Sequence, residues 1–417
     1  GRLFKKMGIM KDKTIWILNH HAITPNIGGG TRHYDFASEL VRRGYTVYIF
    51  ASSFIHYQYV NLLAQDEPYR DIDIDGIHWV WINTRSYRGN GKDRILGMIQ
   101  YYRFMTRNYR KFSKPDCIIG SAVHLLACAA GCRIAKILNV KCISEIRDLW
   151  PETLIELGSL RRNSLIAKAM YLLEKYVYRK SDKIVVTAPG MADYIEQRGI
   201  DRGKIVYINN GVDVKSFDDR LKQYHCGDVN ITFNQDRFRV LYLGAFGRAN
   251  AIDTLIDAAI KLKNMEGIDF ILIGDGPEKK RLETKASDSG LCNMFFYPSV
   301  SKQYVPDILT KADCLVFSAV DSPLYKYGIS ANKLFDYLCS GKPIIFAINT
   351  INDIIETSGA GISIDPENPV QMAEAILSLY NIDPLEREKI GAKGRVFIEK
   401  NFDIPILVNR LEEVINA

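Results

Sequence analysis

Four stretches of this 417-residue chain place cations or glycines where they can handle an anion. In 322–343, turn formers lead into a short helical pattern around 331–339 that carries Asn332, Lys333, Asp336 and Tyr337, then close on Gly341-Lys342-Pro343. Lys333, Asp336 and Tyr337 stand three or four apart and so share one helical side. There a lysine can take phosphate and an aspartate ribose hydroxyls, or the two can form an ordinary surface ion pair. The turn Gly244-Ala245-Phe246-Gly247-Arg248 leaves an apolar run. Its arginine fork either holds a diphosphate or sits solvated in a turn. Gly274-Asp275-Gly276-Pro277 is a turn first and a ligand contact second, with Pro277 suited to a first helical position. Before the helical pattern at 31–43 lies Gly28-Gly29-Gly30-Thr31, with Thr31 as a candidate cap. A glycine turn ahead of a helix lets backbone N–H groups approach an anion, although a plain turn explains the same glycines. It matches neither GxGxxG nor a Walker sequence.

These residues need rigid elements to hold them. Apolar runs at 13–18, 45–51, 77–82, 116–120, 141–146, 183–187 and 204–208 read as strands and alternate with helical patterns. Another series follows at 238–244, 268–273, 294–297, 313–318 and 343–347. Such alternation predicts two α/β domains with parallel sheets covered on both faces. The polar stretch 209–236 lacks a sustained period and reads as the join between them. Ligands of such sheets bind beyond the carboxyl ends of strands, so a cleft between the domains is the expected site.

Ordinary charge usage and 47% hydrophobic residues exclude collagen-like and disordered chains. No apolar stretch reaches the length of a spanning helix, and the opening residues lack a secretory core, so a cytoplasmic protein is expected. The eight cysteines never form a CxxC pair and read as buried, reduced thiols. No DxD-type or histidine-rich cluster stands out, so no metal and no cofactor is expected. Charge is uneven: residues 1–188 hold 29 Lys+Arg against 16 Asp+Glu, and the remainder 26 against 32. The first half therefore suits an anionic partner.

Taken together, Asn210-Gly211-Val212-Asp213, Gly247-Arg248, Gly274-Asp275-Gly276-Pro277 and 336–343 resemble the retaining glycosyltransferases of family 4. Residues 145–152 (EIRDLWPE) and Gly28-Gly29-Gly30-Thr31-Arg32 further resemble a bacterial subgroup that adds N-acetylhexosamine-type or fucosamine sugars in O-antigen and capsule assembly. The resemblance implies the GT-B fold, two Rossmann-like domains facing a cleft. An acceptor domain would span 1–208 plus a returning helix at 402–417, and a donor domain 209–401. It implies a UDP-sugar donor whose diphosphate or sugar meets Gly29 and Gly30, with Arg248 beside Gly247 binding the diphosphate. Asp336 would hold ribose with Asn332 and Gly276 nearby, and Ser299 and Val300 would read the base. His124 falls after a strand where the family often places a histidine near the donor sugar; a structural histidine is the other reading. Arg147 and Asp148 would face the acceptor.

Two departures stand out. The family has paired acids separated by seven residues, and here the first position is Gly328 while Asp336 fills the second. The family's lysine after the Gly-Arg turn is replaced by Ala249-Asn250-Ala251, so Lys333, or less readily Lys326, would supply that cation.

Residues 85–114 hold nine Lys/Arg against the single acid Asp93, among Ile95, Met98, Ile99, Tyr102, Phe104 and Met105. A basic amphipathic helix there either lies on anionic lipid or packs its apolar side on its own sheet. With Arg161, Arg162, Lys168, Lys175, Arg179 and Lys180 it predicts a peripheral enzyme at the inner face of the plasma membrane, acting on a polyprenyl-diphosphate-linked saccharide. No RNA module or helix-turn-helix accompanies the basic residues, so nucleic acid is not expected. An NDP-sugar 2-epimerase and a non-catalytic sugar-nucleotide-binding protein are the competing readings.

Overall fold

The computed structural model describes residues 13–27, 29–56, 58–89 and 91–417. Gly28 and the opening segment, on which the glycine-turn and secretory-signal readings partly rest, lie outside the described residues. The chain forms two compact units, one running to Asn209 and including Leu407–Ala417, the other Asn210–Ile406. The return to the first unit therefore falls within the helix Ile404–Asn416, not at residue 402.

In the first unit, β1 (Thr14–Leu18), β2 (Thr46–Ser52), β3 (Tyr69–Ile74), β4 (Ile77–Ile82), β5 (Cys117–Ala122), β6 (Lys141–Ile146), β7 (Lys183–Val186) and β8 (Ile205–Tyr207) form one sheet. Its order is β8-β7-β6-β5-β1-β2-β4-β3, parallel except for β3. The sequence reading missed β3, because Tyr69-Arg70-Asp71-Ile72-Asp73-Ile74 is largely exposed at the sheet edge and carries no apolar run. The central strands are buried along nearly their whole length because helices cover both faces. Gly120 permits the closest approach: a Cβ there would meet the Cα of Cys128 at 2.7 Å, so the helix Leu125–Leu138 presses directly on β5.

The second unit holds β9 (Phe238–Leu243), β10 (Ile268–Ile273), β11 (Met294–Tyr297), β12 (Cys314–Ser318), β13 (Ile344–Ala347) and β14 (Gly361–Ile364), all parallel. Their order is β11-β10-β9-β12-β13-β14. The stretch read as a join is part of this unit. It contains the helix Val214–Gln223, capped by Asp213, whose side chain accepts from Ser216 N. The cysteines are free as expected, but Cys292 is exposed.

Each sheet reverses its strand order once, between β1 and β5 in the first unit and between β9 and β12 in the second. Beyond the carboxyl ends of such strand pairs a crevice opens, the habitual ligand position of doubly wound sheets.

Candidate active site

Each crevice gathers functional groups from its own unit. In the second unit, β9 ends at Leu243, whose backbone is clamped by Tyr337: the phenol donates to Leu243 O and accepts from Leu243 N, at 2.9 and 2.8 Å. Tyr337 is thus buried as a strut, not on the ligand side with Lys333 and Asp336. The following turn is fixed to β12, with Ser318 Oγ donating to Asn250 O at 2.6 Å and Val320 N to Ala249 O.

Lys333, on the helix Asn332–Cys339, reaches into this turn. Its Nζ donates to Asn250 Oδ1 at 2.8 Å and to the Tyr242 hydroxyl at 3.3 Å, and lies over the Phe317 ring. Gly244 makes room: a Cβ there would stand 3.3 Å from Nζ. Burial lowers the lysine's pKa to about 7. Lys333 and Asp336 form no ion pair, so the surface-pair reading fails. Asp336 is half-buried, and burial pushes its carboxyl up against the pull of Lys302 and Arg220. Arg248 is exposed at the start of a short 3-10 turn, and its side chain makes no hydrogen bond or ion pair within the described residues. Asn332, also exposed, opens the helix that carries Lys333 and Asp336.

The third glycine turn packs against Gly244 and Phe246, and Phe246 N donates to Asp275 O. A Cβ on Gly274 would meet Gly244 O at 1.8 Å, and one on Gly276 would meet Phe246 O at 2.5 Å, so only glycine fits. Asp275 accepts from Ser299 N at 2.7 Å. That backbone bond, with Lys279 close by, holds its carboxyl below the usual range. Lys279 also donates to Gly274 O and Tyr297 O, both at 2.9 Å. The loop carrying Ser299 and Val300 is therefore anchored to the glycine turn. Gly328 has φ 102° and ψ −179°, a conformation that disfavours any side chain, so an acid cannot simply occupy this position.

In the first unit, Glu145 at the end of β6 is the hub of a buried network. It accepts from Arg32 Nε at 3.0 Å, from Ser121 Oγ at 2.8 Å, and pairs with His33 Nε2 at 2.7 Å. Arg32 also donates to Asn209 O and Ile208 O, and His33 Nδ1 meets Asn19 Nδ2 at 2.8 Å. Burial pushes the Glu145 carboxyl up, but Arg32 and His33 overcome it and hold it well below the usual range. Arg32 and Glu145 thus lock the glycine-turn helix Arg32–Arg42 to the β6 and β8 ends, leaving Gly29 and Gly30 exposed ahead of it. Asp148 is committed locally, accepting from Leu149 N, Trp150 Nε1 and Thr153 Oγ1. Arg147 is half-buried after β6.

His124 is buried at the start of the helix Leu125–Leu138. Burial, then the charge of Arg94, lowers its pKa to about 3, so the ring is neutral. The fold brings it against His20 and His21, ring centroids 4.8 and 5.9 Å away. Burial also holds those two well below their usual value. The sequence reading found no histidine-rich cluster, because these residues stand a hundred positions apart. The pairing of β1 with β5 was the signal that joins them, since both lead into the same crevice.

The chain has clear relatives. Residues 27–216 match the family Glycosyltransferase Family 4, and residues 237–381 match Glycosyl transferases group 1. The "Putative colanic acid biosynthesis glycosyl transferase WcaI" of Escherichia coli K12 is 26% identical over 289 residues, covering 66% of this chain and 68% of that one. The "Probable glycosyltransferase WbjE" of Pseudomonas aeruginosa is 20% identical, covering 75% and 78%. Among solved structures, Anabaena Alr3699/HepE in complex with UDP superposes with a TM-score of 0.68 at 15% identity, covering 97% and 99%.

Proposed function

Because the chain belongs to the family 4-like glycosyltransferases of GT-B fold, we propose that it moves an N-acetylhexosamine-type sugar from a UDP-sugar to a lipid-linked saccharide, with retention, in cell-surface polysaccharide assembly. The observation that carries this reading is the β9–β12 crevice, where Lys333 reaches the turn that follows β9, that turn carries Arg248 and packs on Gly274 and Gly276, and the set suits a diphosphate. The UDP complex of the Anabaena structure and the polysaccharide role in the WcaI name support it.

Breaking the sugar–diphosphate bond leaves negative charge on the departing nucleotide while positive charge grows on the sugar ring. Arg248 and Lys333 stabilise the first, with backbone N–H groups of the glycine turns, in positions set before reaction. Asp336 accepts from ribose, and the loop at Ser299 and Val300 reads the base. The leaving phosphate oxygen takes the acceptor's proton on the same face, so the reaction needs no enzyme nucleophile. His124 lies on the donor-sugar side and Arg147 on the acceptor side; the bonded state of Asp148 makes it a loop brace.

The acceptor's lipid fits the exposed face of the helix Leu165–Lys180. Leu165, Ile166, Leu172 and Tyr176 are exposed there, Leu165 by 83%, beside Lys168, Lys175 and Arg179. The helix Lys92–Asn108 divides its apolar residues: Met98, Tyr101 and Met105 are buried, while Ile95, Leu96 and Ile99 stay exposed. Among the described residues no helix is long and apolar enough to cross a membrane.

A thermal-shift panel of UDP, GDP, ADP and TDP on the native chain and on Arg248→Ala, Lys333→Ala and Asp336→Ala tests the donor site. Stabilisation by UDP that weakens in all three variants is expected; no response to any nucleotide would overturn it. Donor incubated without acceptor should at most hydrolyse slowly, whereas conversion to an epimer would move the chain to the 2-epimerases.

A further inference from the structure

We propose that His20, His21 and His124 form a binding site for an imidazole-preferring divalent transition metal of the Zn2+ type. One ligand nitrogen from each lies within 4.8 Å of the other two, near enough for small ring rotations to bring all three onto one ion. His20 and His124 are each only 3% exposed, and His21 is half-buried. The nitrogens His20 Nδ1, His21 Nε2 and both of His124 are buried without a hydrogen-bond partner. Buried polar atoms are satisfied in nearly all native structures, and three neighbouring imidazoles that each carry an orphaned nitrogen call for a shared ligand, to which His124 can offer one of its two. A sugar offers hydroxyls spread over its ring, which suits dispersed donors. A metal ion is a point ligand and suits converging ones.

The donor set selects the metal. Imidazole nitrogens favour Zn2+, Cu2+, Ni2+ or Fe2+, while Mg2+ and Ca2+ require oxygen ligands that the cluster does not offer. Three histidines leave a fourth position open, the pattern of metal sites that also take water or substrate. Beside the cluster, a cavity of about 170 Å³ lined by His20, His21, Phe54, His56, Arg94 and Val123 gives such a ligand room to enter. Arg94 opposes a bare dication there, so the fourth ligand is an anionic oxygen that metal and guanidinium share, such as hydroxide or phosphate. The rings are held by tertiary structure: His20 packs on Tyr101, whose hydroxyl donates to Phe50 O at 2.7 Å, and Ser52 N donates to His20 O. The site lies wholly in the first unit; of the donor-site residues it shares only His124, and the diphosphate-side residues Arg248, Lys333 and Asp336 belong to the other unit.

The test is Co2+ titration of the intact, chelator-stripped chain, read by the visible absorption of four-coordinate Co2+, with Zn2+ as competitor. One Co2+ per chain, displaced by Zn2+ and not by Mg2+, is expected. His20→Ala and His21→Ala should each weaken binding by more than about tenfold, while Co2+ binding by His225→Ala, altered in the other unit, stays unchanged. Circular dichroism and UDP-induced stabilisation report whether the variants fold. Absence of the Co2+ band in the native chain would overturn the proposal, as would undiminished binding by folded His20→Ala and His21→Ala. Quenching of the band by an added saccharide but not by phosphate would overturn the anionic fourth ligand.

Discussion

Lys333 Nζ donates to Asn250 Oδ1 at 2.8 Å, across 83 positions of sequence. The turn that lacks the family's lysine thus receives a cation from the helix after Gly328, at the same strand end. Lys333→Ala should lower turnover by about 10²-fold, the usual effect of removing one preorganised donor from a developing charge. Lys333→Arg should not rescue it, because a planar guanidinium cannot reproduce the compact ammonium's contacts with Asn250 Oδ1 and the Tyr242 hydroxyl over the Phe317 ring. Steady-state kinetics with a UDP-sugar measures both.

The same lysine sets a pH dependence. Burial lowers its pKa to about 7, whereas a diphosphate binds the ammonium form. UDP binding should therefore take up a proton above pH 7, and affinity should fall by up to about tenfold per pH unit until the group titrates as in water. Stability moves oppositely: the unfolded lysine keeps its proton up to 10.5 while the folded one releases it near 7, so this group adds stability as pH rises through that window. Calorimetry in buffers of different ionisation enthalpy detects the uptake, and Lys333→Met should abolish it.

Glu145→Ala should cost about 3–5 kcal/mol in urea unfolding, because it leaves Arg32 buried without its carboxylate. The Glu145 carboxyl is held below its unfolded value of 4.5, so its contribution is complete above that pH and lost as pH falls beneath it. Glu145→Gln should lose this acid dependence.

Restoring the family's acid at Gly328 should fail. Its φ of 102° makes Gly328→Glu strained by about 1–3 kcal/mol, visible as a lowered melting temperature without a gain in turnover.

Vesicles containing anionic lipid should bind the chain at low salt and release it at high salt. Leu165→Glu with Leu172→Glu should abolish sedimentation without altering UDP binding, since these side chains are solvent-exposed and belong to the other unit. Equal binding to neutral vesicles would overturn the electrostatic part, each basic residue being worth about 1 kcal/mol near an anionic surface.

The strands of both sheets were legible because each is a short apolar run whose signal lies within its own residues, as at 77–82, 141–146 and 268–273. So were the glycine turns and the helix at 332–339. β3 and β14 escaped because an edge strand needs no fully buried face, and the helix Val214–Gln223 because its polar surface and short length blur the period. The sequence by itself determined the alternation of elements and hence two doubly wound sheets. Only tertiary structure decided which strand ends adjoin. Strand order is set by which apolar faces pack best over the whole unit, not by neighbours in the chain. That choice placed β5 beside β1, bringing His124 to His20 and His21, and β12 beside β9, letting Lys333 fill the gap at Asn250.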